Sequence, residues 1–178
     1  YSATKFIGGH GTSIGGVIVD SGKFDWSKNP SRIPMLNEPD KSMHGVIWAD
    51  KYKEMSYLVK LRVTMLRDFG GCLAPMNAFL FNQGIETLPL RMERHCENAA
   101  KVADFLNGHP KVVEVIYPRI TDEKAKADRL FNTGMYGPMV GVELKGGAAA
   151  GKAFVENSDL FYHVANIGDV CSMAIHPA

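Results

Sequence analysis

The sequence predicts a mixed α/β protein, and three features of its 178 residues carry that prediction. The β-branched run Val-Ile-Val at 17–19 is typical of a buried strand. Between residues 48 and 107, apolar side chains recur at intervals of three and four, as on one face of a helix. After Pro110, strand and helix signals alternate at closer intervals, which indicates a small α+β unit.

Local signals place the elements of the first part in order. The strand at 17–19 is followed by a long irregular loop over 22–45, which holds three of the nine prolines. Helical spacing predicts a helix over 48–67, ended by Gly70 and Gly71. Two more helices are predicted over 76–84 and 85–107, with a bend or restart at Pro89 because proline lacks the N–H donor.

The last part is predicted to alternate between strands and helices. Its predicted elements are strands over 112–117 and 139–144, helices over 123–131 and 148–157, and short strands around 164–165 and 172–175. The sequence pattern changes from long helices to alternating strands and helices. We therefore place a domain boundary within the helical stretch near Leu88, and we expect one domain over 1–88 and a second over 89–178.

Composition narrows the class of partner. The chain has 20 basic and 19 acidic residues and a formal charge of +1, so charge favours neither a nucleic acid nor an anionic membrane, and small molecules fit better. Three separated cysteines show neither a CxxC pair nor zinc spacing, which predicts no metal site and a reduced compartment. No apolar run reaches membrane-spanning length. These features predict a soluble, cytoplasmic protein.

In the segment YSATKFIGGHGTSIGG at 1–16, Lys5 follows the hydroxyl residues Ser2 and Thr4 and precedes five glycines. It is not a Walker loop, because Lys5 precedes the glycines, and it is not a dinucleotide fingerprint, because Ile14 replaces the third glycine. A flexible surface lysine and a Schiff-base lysine remain. The second interpretation alone uses every residue: Ser2 and Thr4 share a face of an extended segment and offer hydroxyls to a phosphate, while the glycines let backbone approach a cofactor.

The segments Ser-Ala-Thr-Lys at 2–5 and Gly-Gly-His-Gly at 8–11 closely resemble the cofactor-attachment motif of the Cys/Met-metabolism family of pyridoxal-phosphate enzymes. Further stretches resemble the family in the same order along the whole chain: 84–88, 90–95, 142–147, 168–169 and 176–178. The resemblance implies the aspartate aminotransferase-like fold (type I) of pyridoxal-phosphate-dependent transferases. It implies the C-terminal part of the large cofactor-binding domain over 1–88 and a truncated small domain over 89–178.

Within the family, the loop at 22–45 and the segment 9–16 resemble the sulfhydrylase members more than the lyases. The implied reaction is a γ-replacement in methionine biosynthesis, in which O-acetyl-L-homoserine and sulfide give L-homocysteine and acetate. Two alternatives stay open. One is a γ-lyase or γ-synthase of the same family, and the other is a catalytically silent structural relative.

The resemblance also implies roles for single residues. Lys5 is the expected catalytic residue, forming the Schiff base with pyridoxal 5′-phosphate and moving protons, and Ser2 and Thr4 are expected to hold the phosphate. Asn166 falls where the family contacts the substrate α-carboxylate, although lyases more often carry serine there. His10 is expected to pack or to form hydrogen bonds rather than to catalyse.

The remaining parts of such a site are implied outside this stretch of sequence. The aromatic side chain that stacks on the cofactor and the aspartate at its pyridine nitrogen are expected before residue 1, and the carboxylate-binding arginine after residue 178. The family further implies a site built across a dimer interface, in a homotetramer assembled as a dimer of dimers.

Overall fold

The computed structural model describes residues 1–131 and 134–177, which divide into two compact units. The first unit comprises Tyr1 with Val17–Pro75, and the second comprises Ser2–Gly16 with the chain from Met76 onward. The motif around Lys5 therefore packs with the second unit although it opens the sequence. The assignment of 1–88 and 89–178 to a large and a small domain stays a prediction.

The first unit is built from short helical pieces. They are α1 (Pro34–Asn37), α2 (Trp48–Tyr52), α3 (Ser56–Lys60) and α4 (Arg67–Phe69), with 3-10 turns at Pro30–Arg32, Lys41–Met43 and Lys53–Met55 and a π-helical turn at Leu61–Leu66. The helix predicted over 48–67 is thus present in several segments. Lys53 has a φ of +49°, which interrupts the helix after α2, and Gly70, in the left-handed region, ends α4 as predicted.

The strand predicted at 17–19 is wrong for the part of the chain that the structure describes. Val17 pairs only with Tyr1, through N–H to carbonyl bonds of 2.8 and 2.7 Å, and the side chain of Val19 is 85% exposed. A β-branched run forms a strand only where a neighbouring strand accepts its hydrogen bonds, and no described strand lies beside it.

The loop at 22–45 packs against the helices of its own unit. The indole of Trp26 stacks on Tyr57 at 5.2 Å between ring centroids, and Leu36 and Trp48 are almost fully buried. Aromatic packing of this kind stabilises a long segment that has little regular secondary structure.

Asp40 is the polar centre of that packing. Its Oδ2 accepts hydrogen bonds from Lys60 Nζ at 2.6 Å and from Trp48 Nε1 at 2.9 Å, while its Oδ1 accepts from the backbone N–H and hydroxyl of Ser42. The side chain is 13% exposed. Lys60, then Ser42 and Trp48, hold the pKa of the Asp40 carboxyl well below its ordinary value.

Asp40→Asn should lower thermal stability at pH 7 and reduce the loss of stability in acid. A carboxylate whose pKa is lower in the folded state stabilises the fold above its unfolded pKa of about 4, and that contribution disappears as the pH falls toward the folded value. Thermal unfolding of the unsubstituted protein and of the variant at pH 7 and at pH 3 measures the contribution of Asp40 to stability. The matched control is Asp50→Asn, an exposed carboxylate of α2. Equal pH dependence in the two variants would contradict the prediction.

The second unit contains one long helix and two small sheets. Its elements are α5 (Pro75–Asn107), β1 (Val112–Ile116), α6 (Lys124–Leu130), β2 (Gly141–Leu144), α7 (Gly147–Glu156), β3 (Tyr162–His163) and β4 (Met173–Ala174). Strands β1 and β2 are antiparallel, with Val115 opposite Val142, and β3 and β4 are parallel. These elements match the alternation predicted after Pro110, and β3 lies two residues before its predicted position.

Helix α5 continues through Pro89, where a bend or restart was predicted. Residues on both sides of the proline, Gly84 and Arg91, contact the same segment of the second unit, the loop that carries Lys5. Tertiary contacts of this kind stabilise the helix across a residue that donates no backbone hydrogen bond.

The core of the second unit lies between α5 and β1. Ala99 and Ala103 of α5 pack with Val115 and Tyr117, and all four side chains are buried. Leu90 of the same helix is 69% exposed. Among residues 1–131 and 134–177, no helix is both long and apolar enough to cross a bilayer.

Candidate active site

The lysine loop, residues 2–11, is a compact series of turns. The backbone N–H of Lys5 donates to Ser2 O at 3.3 Å, that of Gly8 donates to Ala3 O at 2.8 Å, and that of Gly9 donates to Lys5 O at 2.8 Å. The extended conformation expected for residues 2–5 is therefore wrong, because these local bonds wind the chain instead. The winding leaves the side chain of Lys5 half-buried.

The Lys5 amine meets Asn166, although the two residues are 161 positions apart in the sequence. Lys5 Nζ donates to Asn166 Oδ1 at 3.2 Å, and Asn166 Nδ2 donates to Asp169 Oδ2 at 3.2 Å. The other carboxylate oxygen of Asp169 accepts the backbone N–H of Cys171 at 3.1 Å. The structure thus brings together two residues that the sequence assigned separately, to catalysis and to substrate binding.

The two predicted phosphate-binding hydroxyls differ in their surroundings. Ser2 is exposed, and its hydroxyl makes no hydrogen bond to any residue in the described part of the chain, so it can donate to an anion. Thr4 Oγ1 accepts the N–H of Gly15 at 3.0 Å and donates to the carbonyl of Gly15 at 3.3 Å. Thr4 can donate to a phosphate only by giving up the longer of these bonds.

Sequence reasoning missed Arg91 of α5. Its Nη1 donates to Phe6 O at 2.9 Å and its Nη2 to Gly84 O at 2.7 Å, while Nε donates to Thr87 Oγ1 at 3.1 Å. One guanidinium therefore ties the lysine loop to the helix beneath it. Arg91 lies in the stretch 90–95 that resembles the family, but a contact across 85 residues leaves no local signal.

Glycines allow the loop and the helix to approach each other closely. A Cβ at Gly84 would clash with the carbonyl of Ile7 and lie 2.7 Å from that of Gly8. Gly9 has a φ of +73°, and a Cβ there would overlap the guanidinium of Arg91. At these positions the approach that glycine permits is to the protein's own backbone and side chains.

One histidine, His10, belongs to the lysine loop, and another, His95, packs against it. His10 is exposed, and its Nδ1 lies 2.9 Å from the carbonyl of Gly8, in keeping with the hydrogen-bonding role expected for it. His95 of α5 contacts the ring of Phe6 edge-on. Partial burial, followed by the positive charge of Arg91, lowers the pKa of His95 and favours its neutral form.

The donor set around Lys5 suits an aldehyde-bearing phosphate cofactor. It combines a half-buried amine that can attack an aldehyde with a hydroxyl that is free to donate to a phosphate. Within residues 1–131 and 134–177, no group of three or more histidine, cysteine or acidic side chains is placed to hold a metal ion. The organic cofactor therefore has residues in this unit that fit it.

The family model described as Cys/Met metabolism PLP-dependent enzyme matches residues 1–178. The chain belongs to this family. Two members show how far the similarity extends. The chain is 45% identical to O-acetyl-L-homoserine sulfhydrylase of Leptospira meyeri and 44% identical to homocysteine synthase of Schizosaccharomyces pombe, in each case over 100% of this chain and 42% of the relative. The chain thus spans about two fifths of the length of these family members.

Solved structures from the family agree with the fold. A Campylobacter jejuni protein assigned as an O-acetylhomoserine (thiol)-lyase, with N′-pyridoxyl-lysine-5′-monophosphate in its structure, is 35% identical at a TM-score of 0.80, over 98% of this chain and 43% of that one. Cystathionine γ-synthase of Xanthomonas oryzae is 27% identical at a TM-score of 0.66, and the match covers 99% of this chain and 37% of that one. The predicted type I fold of the pyridoxal-phosphate-dependent transferases is confirmed for the part that this chain represents.

Proposed function

We propose that this chain is part of an enzyme that converts O-acetyl-L-homoserine and sulfide to L-homocysteine and acetate, with pyridoxal 5′-phosphate as cofactor. The observation that carries the proposal is the half-buried Lys5 amine, held at 3.2 Å by Asn166 in a loop tied to α5 by Arg91. The names of the family members at 45% and 44% identity support the choice of reaction.

In this proposal Lys5 carries the cofactor, and Ser2 and Thr4 bind its phosphate. When bound, pyridoxal phosphate supplies an aldehyde that condenses with amines and a ring that withdraws electrons from the substrate Cα. The amine of Lys5 would take the proton from Cα and carry a second proton away from Cβ. Loss of the Cβ proton would break the bond from Cγ to the ester oxygen and release acetate. Sulfide would then form the bond from Cγ to sulfur, and the protons would return to Cβ and Cα.

Asn166 has a second role in this proposal. Its Nδ2 carries two hydrogens, and only one of them is used by Asp169. The other can donate to the α-carboxylate of the substrate, while Oδ1 faces the amine of Lys5. One amide side chain can therefore contact both the substrate and the residue that moves its proton.

Full-length enzyme supplied with O-acetyl-L-homoserine and sulfide should release homocysteine and acetate in equal amounts. The comparison is the same assay with cysteine in place of sulfide, followed by mass spectrometry of the products. Preferential formation of cystathionine would assign the chain to a γ-synthase. Formation of a 2-oxo acid and ammonia without homocysteine or cystathionine would assign it to a γ-lyase. If no turnover is seen in the presence of pyridoxal phosphate, the chain would belong to a catalytically silent relative of these enzymes.

The assembly and the location belong to the same proposal. We infer a homotetramer built as a dimer of dimers, acting in the cytoplasm on small amino-acid substrates and sulfide. The family resemblance supports this inference, and the near-neutral charge of the chain favours small-molecule substrates over a nucleic acid. The division into a large cofactor-binding domain over 1–88 and a small domain over 89–178 is proposed on the same ground.

A further inference from the structure

We propose that Asp169 is a positioning residue that fixes the orientation of the Asn166 amide and, through it, the position of the Lys5 amine. The inference rests on the proposed function, in which the side-chain amine of Lys5 is the reacting group. The geometry behind it is a continuous series of hydrogen bonds. Lys5 Nζ donates to Asn166 Oδ1, and Asn166 Nδ2 donates to Asp169 Oδ2, each over 3.2 Å.

An asparagine amide has two ends of nearly equal size, one accepting and one donating hydrogen bonds. An ionised carboxylate can only accept, so Asp169 requires the NH₂ end of Asn166 to face it. The carbonyl end then faces Lys5, whose amine can donate to it. Without Asp169, the NH₂ end could turn toward Lys5 and place two donors against each other.

The carboxylate of Asp169 is itself held in place. Its Oδ1 accepts a hydrogen bond from the backbone N–H of Cys171, two residues further along the chain, at 3.1 Å. Gly11, with a φ of +64°, lies so close that a Cβ there would be 2.9 Å from Asp169 Oδ2. A carboxylate that is fixed by a backbone hydrogen bond and has little room to move can hold a neighbouring amide in one orientation.

The backbone around Asp169 is joined to the lysine loop. The N–H of Val170 donates to the carbonyl of Gly9 at 2.9 Å. Gly168 has a φ of +90°, and a Cβ there would lie 2.7 Å from the backbone nitrogen of Phe6. Because these contacts fix the separation of the two segments, the orientation of the Asn166 amide decides which of its two ends faces Lys5.

A double-mutant cycle in the full-length protein tests the proposal. Its members are Asp169→Ala, Asn166→Ala and the double variant, and Asp169→Asn adds a nearly isosteric change. The first readout is the rate at which the apoprotein gains the visible absorbance of cofactor joined to Lys5, and the second is kcat. Asp169→Ala should slow both by about tenfold, the effect of losing one hydrogen bond to a charged group. Asp169→Asn should slow both by a smaller factor.

In the Asn166→Ala background, removal of Asp169 should slow either rate less than about twofold, because residues that act through one another are not additive. A purely structural role of Asp169 would instead give multiplicative effects, since the bond to Cys171 is lost in either background. Asp159→Asn, an exposed change in the same unit, is the matched control. Multiplicative effects, or an Asp169 effect no larger than the control, would overturn the proposal.

The same experiment separates this inference from the proposed function. Borohydride reduction of the unsubstituted protein, followed by mass mapping, shows whether cofactor is fixed on Lys5. If it is fixed there and the cycle is multiplicative, only the role of Asp169 is lost. If no cofactor is fixed on Lys5, the proposed function and this inference both fail.

Discussion

Lys5→Ala in the full-length protein should lower kcat for homocysteine formation by about a thousandfold or more, because one amine serves as both the covalent attachment and the proton carrier. The carboxylate of Asp169 accepts a hydrogen bond from Asn166, so the amide of Asn166 and not a second base faces the position of the lost amine. The variant should still bind pyridoxal phosphate through the free hydroxyl of Ser2, without a covalent bond.

Absorbance before and after borohydride, with mass mapping of the reduced peptides, measures the covalent part of that prediction. The unsubstituted protein should retain the cofactor's mass on the peptide that contains Lys5, and the variant should lose it on dialysis. Lys23→Ala, an exposed lysine of the first unit, is the matched control and should behave as the unsubstituted protein. Cofactor fixed on another lysine, or undiminished turnover in Lys5→Ala, would contradict the assignment.

Gly84→Ala should have the largest effect among single-methyl changes in the second unit. The added Cβ would clash with the carbonyl of Ile7 and lie 2.7 Å from that of Gly8. The carbonyl of Ile7 cannot withdraw freely, because Arg91 Nη2 donates both to it, at 3.4 Å, and to Gly84 O of α5, at 2.7 Å. Overpacking of this kind costs about 1–3 kcal/mol. It should also move the lysine loop and slow the attachment of cofactor to Lys5.

Thermal unfolding and the rate of cofactor attachment measure the two effects in full-length protein. The matched control is Gly108→Ala, just after α5, where an added Cβ would have nothing within 4 Å. The Gly84 variant should unfold at a lower temperature and take up cofactor more slowly than the Gly108 variant. Equal behaviour of the two would show that the loop is not held against α5 as described.

Much of the second unit could be predicted from local signals, since its elements depend on neighbours in sequence. The hydrophobic runs of β1 and β2 and the small apolar residues of α7 each fall within a few residues of the predicted bounds. The fragmented helices of the first unit were predicted less well, because the interruption at Lys53 depends on packing rather than on propensity. The strand expected at 17–19 failed for the same reason, since strands form only in pairs.

The sequence by itself determined the family, the lysine expected to carry the cofactor, and the small residues around it, because these are local patterns of residue type. Only the tertiary structure decided that Asn166 meets the Lys5 amine, that Asp169 contacts that amide, and that the hydroxyl of Thr4 is engaged by Gly15. Contacts between Lys5 and Asn166 depend on how two segments 161 residues apart are packed together. That packing is set by backbone contacts with no periodic signature in the sequence.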